Sequence, residues 1–210
     1  MPLQNRVVPQ GRIERHSARG TFMGNRGVLH DRNKELKRLF KTKAWIICLL
    51  EFKGRKRELM SPNAYTELFF LDEATAFAAG HRPCAECRRS RYNEFRKAWM
   101  DGNQWEGSSA IRAPEMDVAL HRERIEGGKK VTWSGRLSEL PHGAMFEFDL
   151  TSYVICDDKI LEWSFDGYSP ADHETFPEHV DVLTPRSVVN VLATGFRPEF
   201  HASAAPLTAG

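Results

Sequence analysis

The chain has no apolar run long enough to cross a bilayer: its longest, Ala44 to Leu50, falls far short of the roughly 18 residues a span requires. No membrane association is expected. The start, Met1-Pro2-Leu3-Gln4-Asn5-Arg6, lacks the apolar core of a signal peptide, so a cytoplasmic location is expected. Cysteine is scarce, four in 210 residues, and in that compartment these read as thiols or metal ligands before disulfides. No internal repeat is visible. The composition is neither fibrous nor disordered, and 210 residues are expected to form one domain with a core of its own.

What is present is unevenly spread. The net charge is only +2, but residues 1 to 100 hold 21 Lys+Arg against 10 Asp+Glu, leaving 9 against 18 for the remainder. A basic 22–100 part is therefore followed by an acidic 101–201 part. Asymmetry of this size points either to contact with a polyanion or to attraction between the two parts of one fold.

Turn formers crowd the first 35 residues. Ala44 to Phe52 then reads as a buried strand, and Tyr65 to Phe70 as a β-leaning aromatic run. Asp72 is placed to cap a short helix, Glu73 to Ala79, that ends at Gly80. A second helix is expected from about Cys84 to Met100, with Tyr92, Phe95 and Trp99 on its apolar face, and a third from Glu115 to Glu126, opened by Pro114 and stopped by Gly127-Gly128. Ala144 to Phe148, Ser152 to Cys156, Ile160 to Phe165 and Val180 to Leu183 read as strands, and Pro185 to Thr194 as a last helix. Residues 202–210 read as a flexible tail. Strands and helices mix without a βαβ period, so the expected class is α+β, with a Cys-x-x-Cys helix N-terminus.

That motif, Pro83-Cys84-Ala85-Glu86-Cys87, is the sharpest chemical signal. Two thiols three positions apart can face one ion, and zinc is the natural candidate. A zinc deaminase requires a His-x-Glu ahead of the cysteine pair; the only such pattern, His121-Arg122-Glu123, lies downstream. A thioredoxin-like redox pair should follow a strand of a βαβ unit, whereas this one follows a helix and Gly80.

Glu73 to Cys87, an Ala-rich helix followed by Gly-His-Arg-Pro-Cys-Ala-Glu-Cys, resembles the second half of the Ada-type zinc-binding module. Phe22-Met23-Gly24-Asn25, with His30 six residues after Gly24, is similar to the Gly-Asn…His entry of the nuclease-associated variants of that module. Over residues 22 to 90 the resemblance implies zinc on Cys84, Cys87 and His30, in a module often attached to DNA-acting proteins. A fourth ligand is not supplied, because the position four after His30 is Lys34; Cys48, His81 and Asp31 are the candidates to replace it. The alkyl-accepting cysteine of that family has no counterpart, so phosphotriester repair does not carry over. The chain as a whole is similar to a bacterial family of about this length, a similarity that brings no function with it.

Two further constellations stand out. Asp117, His121 and Arg124 share one face of the third helix; they suit a carboxylate-oriented general base with an anion-holding arginine, but ordinary helix contacts worth about 0.2–0.5 kcal/mol each are the favoured reading. Glu67 and Asp72 are additional carboxylates near the thiols. Arg88, Arg89, Arg91, Arg96 and Lys97 form a basic helix face which, with Arg55-Lys56-Arg57, could contact the phosphates of DNA or RNA. The function expected is that of a zinc-stabilised protein binding nucleic acid or another polyanion through its basic half. The alternative is a metal-dependent hydrolase or nuclease using Asp117 and His121.

Overall fold

In the computed structural model, which describes residues 1–54, 58–172 and 175–208, short β-leaning segments pair across long sequence distances. The first sheet contains β1 (Gln4–Val7), β2 (Ile13–Arg15), β3 (Phe22–Asn25), β4 (Ile46–Cys48), β5 (Leu68–Phe70) and β6 (Arg82–Pro83), in the order β2-β1-β5-β3-β4-β6. It is mixed: β1 with β5 and β4 with β6 are parallel, the other pairs antiparallel. Between its last strands comes α1 (Glu73–Ala78), and after it α2 (Arg89–Gly102) and α3 (Ala113–Arg124).

A hairpin of β7 (Ile125–Glu126) and β8 (Lys129–Lys130) leads to the second sheet. This comprises β9 (Trp133–Arg136), β10 (Met145–Phe148), β11 (Thr151–Cys156), β12 (Lys159–Ser164), β13 (Gly167–Pro170) and β14 (His179–Val182). Its order is β13-β12-β11-β10-β14-β9, antiparallel throughout. α4 (Arg186–Ala193) and α5 (Ala205–Thr208) complete an α+β architecture. No helix among the described residues is long and apolar enough to cross a membrane.

One hydrophobic cluster runs through both sheets and the helices between them. Phe70 and Ile47 from the first sheet, Phe146 and Val182 from the second, and Phe77, Phe95 and Leu120 from the helices are all fully buried in it. The acidic and basic parts of the sequence are thus bound into one core. Ion pairs join them as well: Arg82 to Asp117, and Arg88 to Glu199.

Several boundaries depart from the sequence reading for local reasons. α2 starts at Arg89, not at Cys84, because the Cys84 amide is held by Ile47 O (2.9 Å) as an extension of the parallel β4–β6 pair; Cys84 to Arg88 then form a turn closed by Arg88 N to Cys84 O (3.2 Å). Gly127 and Gly128, at φ +56° and +79°, do more than stop a helix: they supply the two positive φ angles of a tight hairpin between β7 and β8. The segment that follows His201 is no loose tail as far as Thr208. Ala202–Ala204 and α5 are helical, Ala204 is buried, and Lys159 Nζ donates to Leu207 O.

Candidate metal centre

β4 and β6 bring the thiols together. Their parallel register pairs Ile46 with Arg82 and Ile47 with Pro83, so that Cys48 and Cys84 follow one another at the same level of the sheet. The turn after Cys84 then swings Cys87 back toward both. The three sulfurs lie within 4.8 Å of one another. Sulfurs held 2.3 Å from one ion at tetrahedral angles would stand about 3.8 Å apart, a spacing that falls inside that limit. Among the described residues no fourth His, Cys, Asp or Glu joins the cluster.

The electrostatics suit thiolate ligands. Cys84 is pushed far down, to about 2, first by hydrogen bonds from the Cys48 and Cys87 thiols and then by the Cys87 and Glu86 amides; the latter approaches Cys84 Sγ at 3.4 Å. The thiolate form of Cys87 is aided by Cys48 and by the Leu49 amide, but Cys84 and burial leave its pKa raised on balance. Cys48 is driven strongly upward by its hydrogen bonds to Cys84 and Cys87 and by burial. One negative charge is welcome here and further ones repel, which is the condition a cation relieves.

Beside the sulfurs opens a cavity of about 430 Å³. Cys48, Cys84 and Cys87 form part of its wall, with Glu51, Glu67 and Glu86 as the carboxylates and Phe52, Tyr65 and Phe69 as aromatic surface. Glu67 is buried, and its Oε2 accepts from the Met60 amide (2.8 Å). It is the one carboxylate named from sequence that the fold brings to the thiols. Asp72 instead caps α1, accepting from Thr75 N and Oγ1, Tyr168 Oη and His201 N, with burial raising its pKa against those bonds.

The remaining predicted residues lie elsewhere. His30 is not in the thiol cluster: its Nδ1 meets Thr66 Oγ1 (2.6 Å) and its Nε2 Ser61 O (3.2 Å), which fixes the loop ahead of β5. His81 lies buried on the other side of β6, its Nε2 accepting from Arg26 Nε (3.2 Å), and Asp31 caps its own loop through the amides of Asn33 and Glu35. The Asp117–His121 dyad is not formed. Asp117 accepts from Arg82 on both oxygens, at 2.8 Å each, while His121 packs against the edge of Phe40 with its Nδ1 3.4 Å from Arg124 Nη2. Arg124 donates to Gly80 O and Lys43 O. None of the three lines the thiol cavity.

The basic helix face is likewise divided. Arg88 is buried on Glu73 and Glu199, and Arg91 donates to Glu73 and to Arg197 O. Glu73, fully buried, is the reason: an α1 carboxylate in the core binds two arginines from the start of α2. Arg89 and Lys97 remain exposed, with Arg96 half-buried beside Tyr92. Arg55, Lys56 and Arg57 lie outside the described residues.

No family model, curated protein or solved structure matches this chain. The Ada-type resemblance therefore stands on the residues quoted for it. The cysteine cluster differs from that module's ligand pattern in that its third sulfur comes from a strand, Cys48, where the resemblance implies a histidine.

Proposed function

We propose that this protein binds one zinc ion through Cys48, Cys84 and Cys87 and works as a metal-dependent hydrolytic enzyme at that centre. The observation that carries this is the wall of the cavity: three sulfur donors converge at its edge, and no fourth side chain completes the set among the described residues. Structural zinc sites are closed by four protein ligands, whereas catalytic ones keep three and leave a position for water or substrate. Zinc supplies Lewis acidity and an acidified water at such a position. The protein's share is a concave apolar surface that holds a substrate and excludes bulk water, with Glu51, Glu67 and Glu86 as the groups within the same pocket able to move a proton. Asp117 and His121 take no part in this reading.

Cobalt substitution tests it. A three-thiolate centre with an open position gives a cobalt spectrum that shifts when an exogenous ligand such as azide is added. A spectrum indifferent to azide, in protein that binds the metal stoichiometrically, would mean a closed structural site.

A polyanion, DNA or RNA, is the partner class that the basic part would attract, and the exposed cations of α2, Arg89 and Lys97 with Arg96, support that second reading. Salt-dependent binding tests it independently of the metal.

A further inference from the structure

The other face of the first sheet holds a second cavity, about 380 Å³, that shares no lining residue with the thiol pocket. Strand alternation explains the division. Ile46 and Cys48 point to one side and Trp45 to the other, and Asn25 and Arg26 at the end of β3 divide in the same way. Five cations, Arg12, Arg26, Arg124, Lys129 and Lys130, line this cavity against one carboxylate, Glu147, which already accepts from Gln10.

Three of these cations have no ion-pair partner among the described residues, although Asp117, already bound by Arg82, offsets part of the burial of Arg124. Arg26 is 1% and Arg124 2% exposed. Arg26 donates to Gly11 O (2.9 Å) and His81 Nε2, Arg124 to two backbone carbonyls, and Lys130 Nζ to Ala78 O. No carboxylate stands within ion-pair distance of any of the three among the described residues, and two buried guanidinium nitrogens, Arg26 Nη2 and Arg124 Nε, have no hydrogen-bond partner there. Both guanidinium carbons also lie within 4.0 Å of the Trp45 ring centroid. A ring face offsets part of a cation's desolvation, about 0.5–2 kcal/mol each, which is well below the several kcal/mol that burying a charge costs.

We propose that this cavity binds the phosphoryl group of a small phosphorylated molecule, with Arg26, Arg124 and Lys130 as its anion cradle. A phosphate monoester carries nearly two negative charges at neutral pH and three acceptor oxygens, which matches a surplus of several cations better than a monoanionic carboxylate does. The volume falls in the small-molecule range and exceeds what a bare phosphate fills. Leu39, Ile125 and Leu183 supply apolar wall for the rest of the ligand. Burial first, and then repulsion from Arg26 and Arg124, lowers the affinity of Lys130 for its proton; the same dianion relieves the repulsive part.

Calorimetric titration with inorganic phosphate, and separately with acetate, tests the site in the intact protein. Phosphate should bind saturably and more tightly than acetate. Lys130→Gln should weaken it roughly ten- to hundredfold, the worth of one charge-assisted hydrogen bond, while Lys37→Ala, an exposed residue that pairs with Asp31 and Glu35 and does not line the cavity, should leave it unchanged. Since Lys130→Gln could disturb the hairpin, a second readout uses the unaltered chain: phosphate should protect Lys130, and not Lys37, from acetylation by a small acylating reagent. No saturable binding at millimolar phosphate, equal binding of acetate, equal loss in Lys37→Ala, or Lys130 acetylated alike with and without phosphate would each overturn the assignment.

Discussion

Replacing Cys48 by Ser separates the donor set that the thiol cluster offers from the one that the sequence motifs suggest. If Cys48, Cys84 and Cys87 are the donors, Cys48→Ser removes one of three sulfurs, whereas His30→Ala removes a side chain whose two nitrogens are occupied by Thr66 and Ser61. Apparent zinc binding by four-ligand structural sites is worth about 10–16 kcal/mol at neutral pH, so one donor accounts for roughly 3 kcal/mol or more and its loss for a factor of about a hundred or more in Kd. Zinc is read by elemental analysis after purification without chelator, and Kd by competition with a chromophoric chelator. The expected pattern is about one equivalent in the parent chain and in His30→Ala, with Cys48→Ser and Cys84→Ser both weakened at least a hundredfold. A Cys48→Ser chain that is folded by circular dichroism and keeps the parent Kd would refute this donor set. Loss of the metal from His30→Ala would refute it equally.

Four other outcomes follow from named contacts. Glu73→Ala leaves Arg88, with 3% of its side chain exposed, and Arg91 without their shared buried carboxylate, and should cost about 3–5 kcal/mol in urea unfolding; a loss below about 1 kcal/mol would mean that the arginines relax to water. Gly80→Ala places a Cβ 2.5 Å from Arg124 Cδ at φ +83°, so a loss of about 1–3 kcal/mol from the backbone alone is expected, with a lower Tm as the readout and an unchanged Tm as the refutation. Lys130 is held at about 7, against the ordinary 10.5, by burial and then by Arg26 and Arg124. Between those values the unfolded chain binds a proton that the folded one lacks, so stability should rise with pH from about 7 to about 10.5, and Lys130→Gln should flatten that rise; identical pH profiles would refute it. If α2 contacts duplex phosphates, replacing Arg89, Arg96 and Lys97 together by Ala should lower the salt slope of DNA binding by roughly 2–3 units, and an unchanged slope would place the contacts elsewhere.

What the sequence displays and what it hides divide along a physical line. Local signals are legible: Asp72 as the cap of α1, the strand pair around Asp157-Asp158, Pro114 in the first turn of α3 and the α+β mixture all follow from capping, turn chemistry and periodicity. Non-local pairing is not. Nothing near Cys48 in sequence says that β4 will run parallel to a two-residue strand at Arg82, and in an apolar segment a cysteine reads first as a small hydrophobe. The helical spacing of Asp117 and His121 is real, but a helix face does not reveal that Arg82 will reach the carboxylate first. Nor does a run of arginines reveal that Glu73, fifteen residues before Arg88, will be buried beneath it.

The charge asymmetry has its explanation in space, not along the chain. Part of the basic excess is neutralised inside the fold, where Arg82 meets Asp117 and Arg88 meets Glu199, so attraction between the two parts accounts for those residues. The cations left without an ion pair among the described residues are a different set. Arg26 comes from the basic part but Arg124 and Lys130 from the acidic one, and they meet only because the α3 end and the β7–β8 hairpin fold over Trp45. A surplus assembled from both parts and buried against a cavity is poorly explained by long-range attraction to a polymer, which acts on exposed charge. It is the arrangement expected of a site for a small anion. The two faces of the β3–β4 pair then divide the chemistry between them: sulfur donors for a cation on one, guanidinium and ammonium donors for an anion on the other.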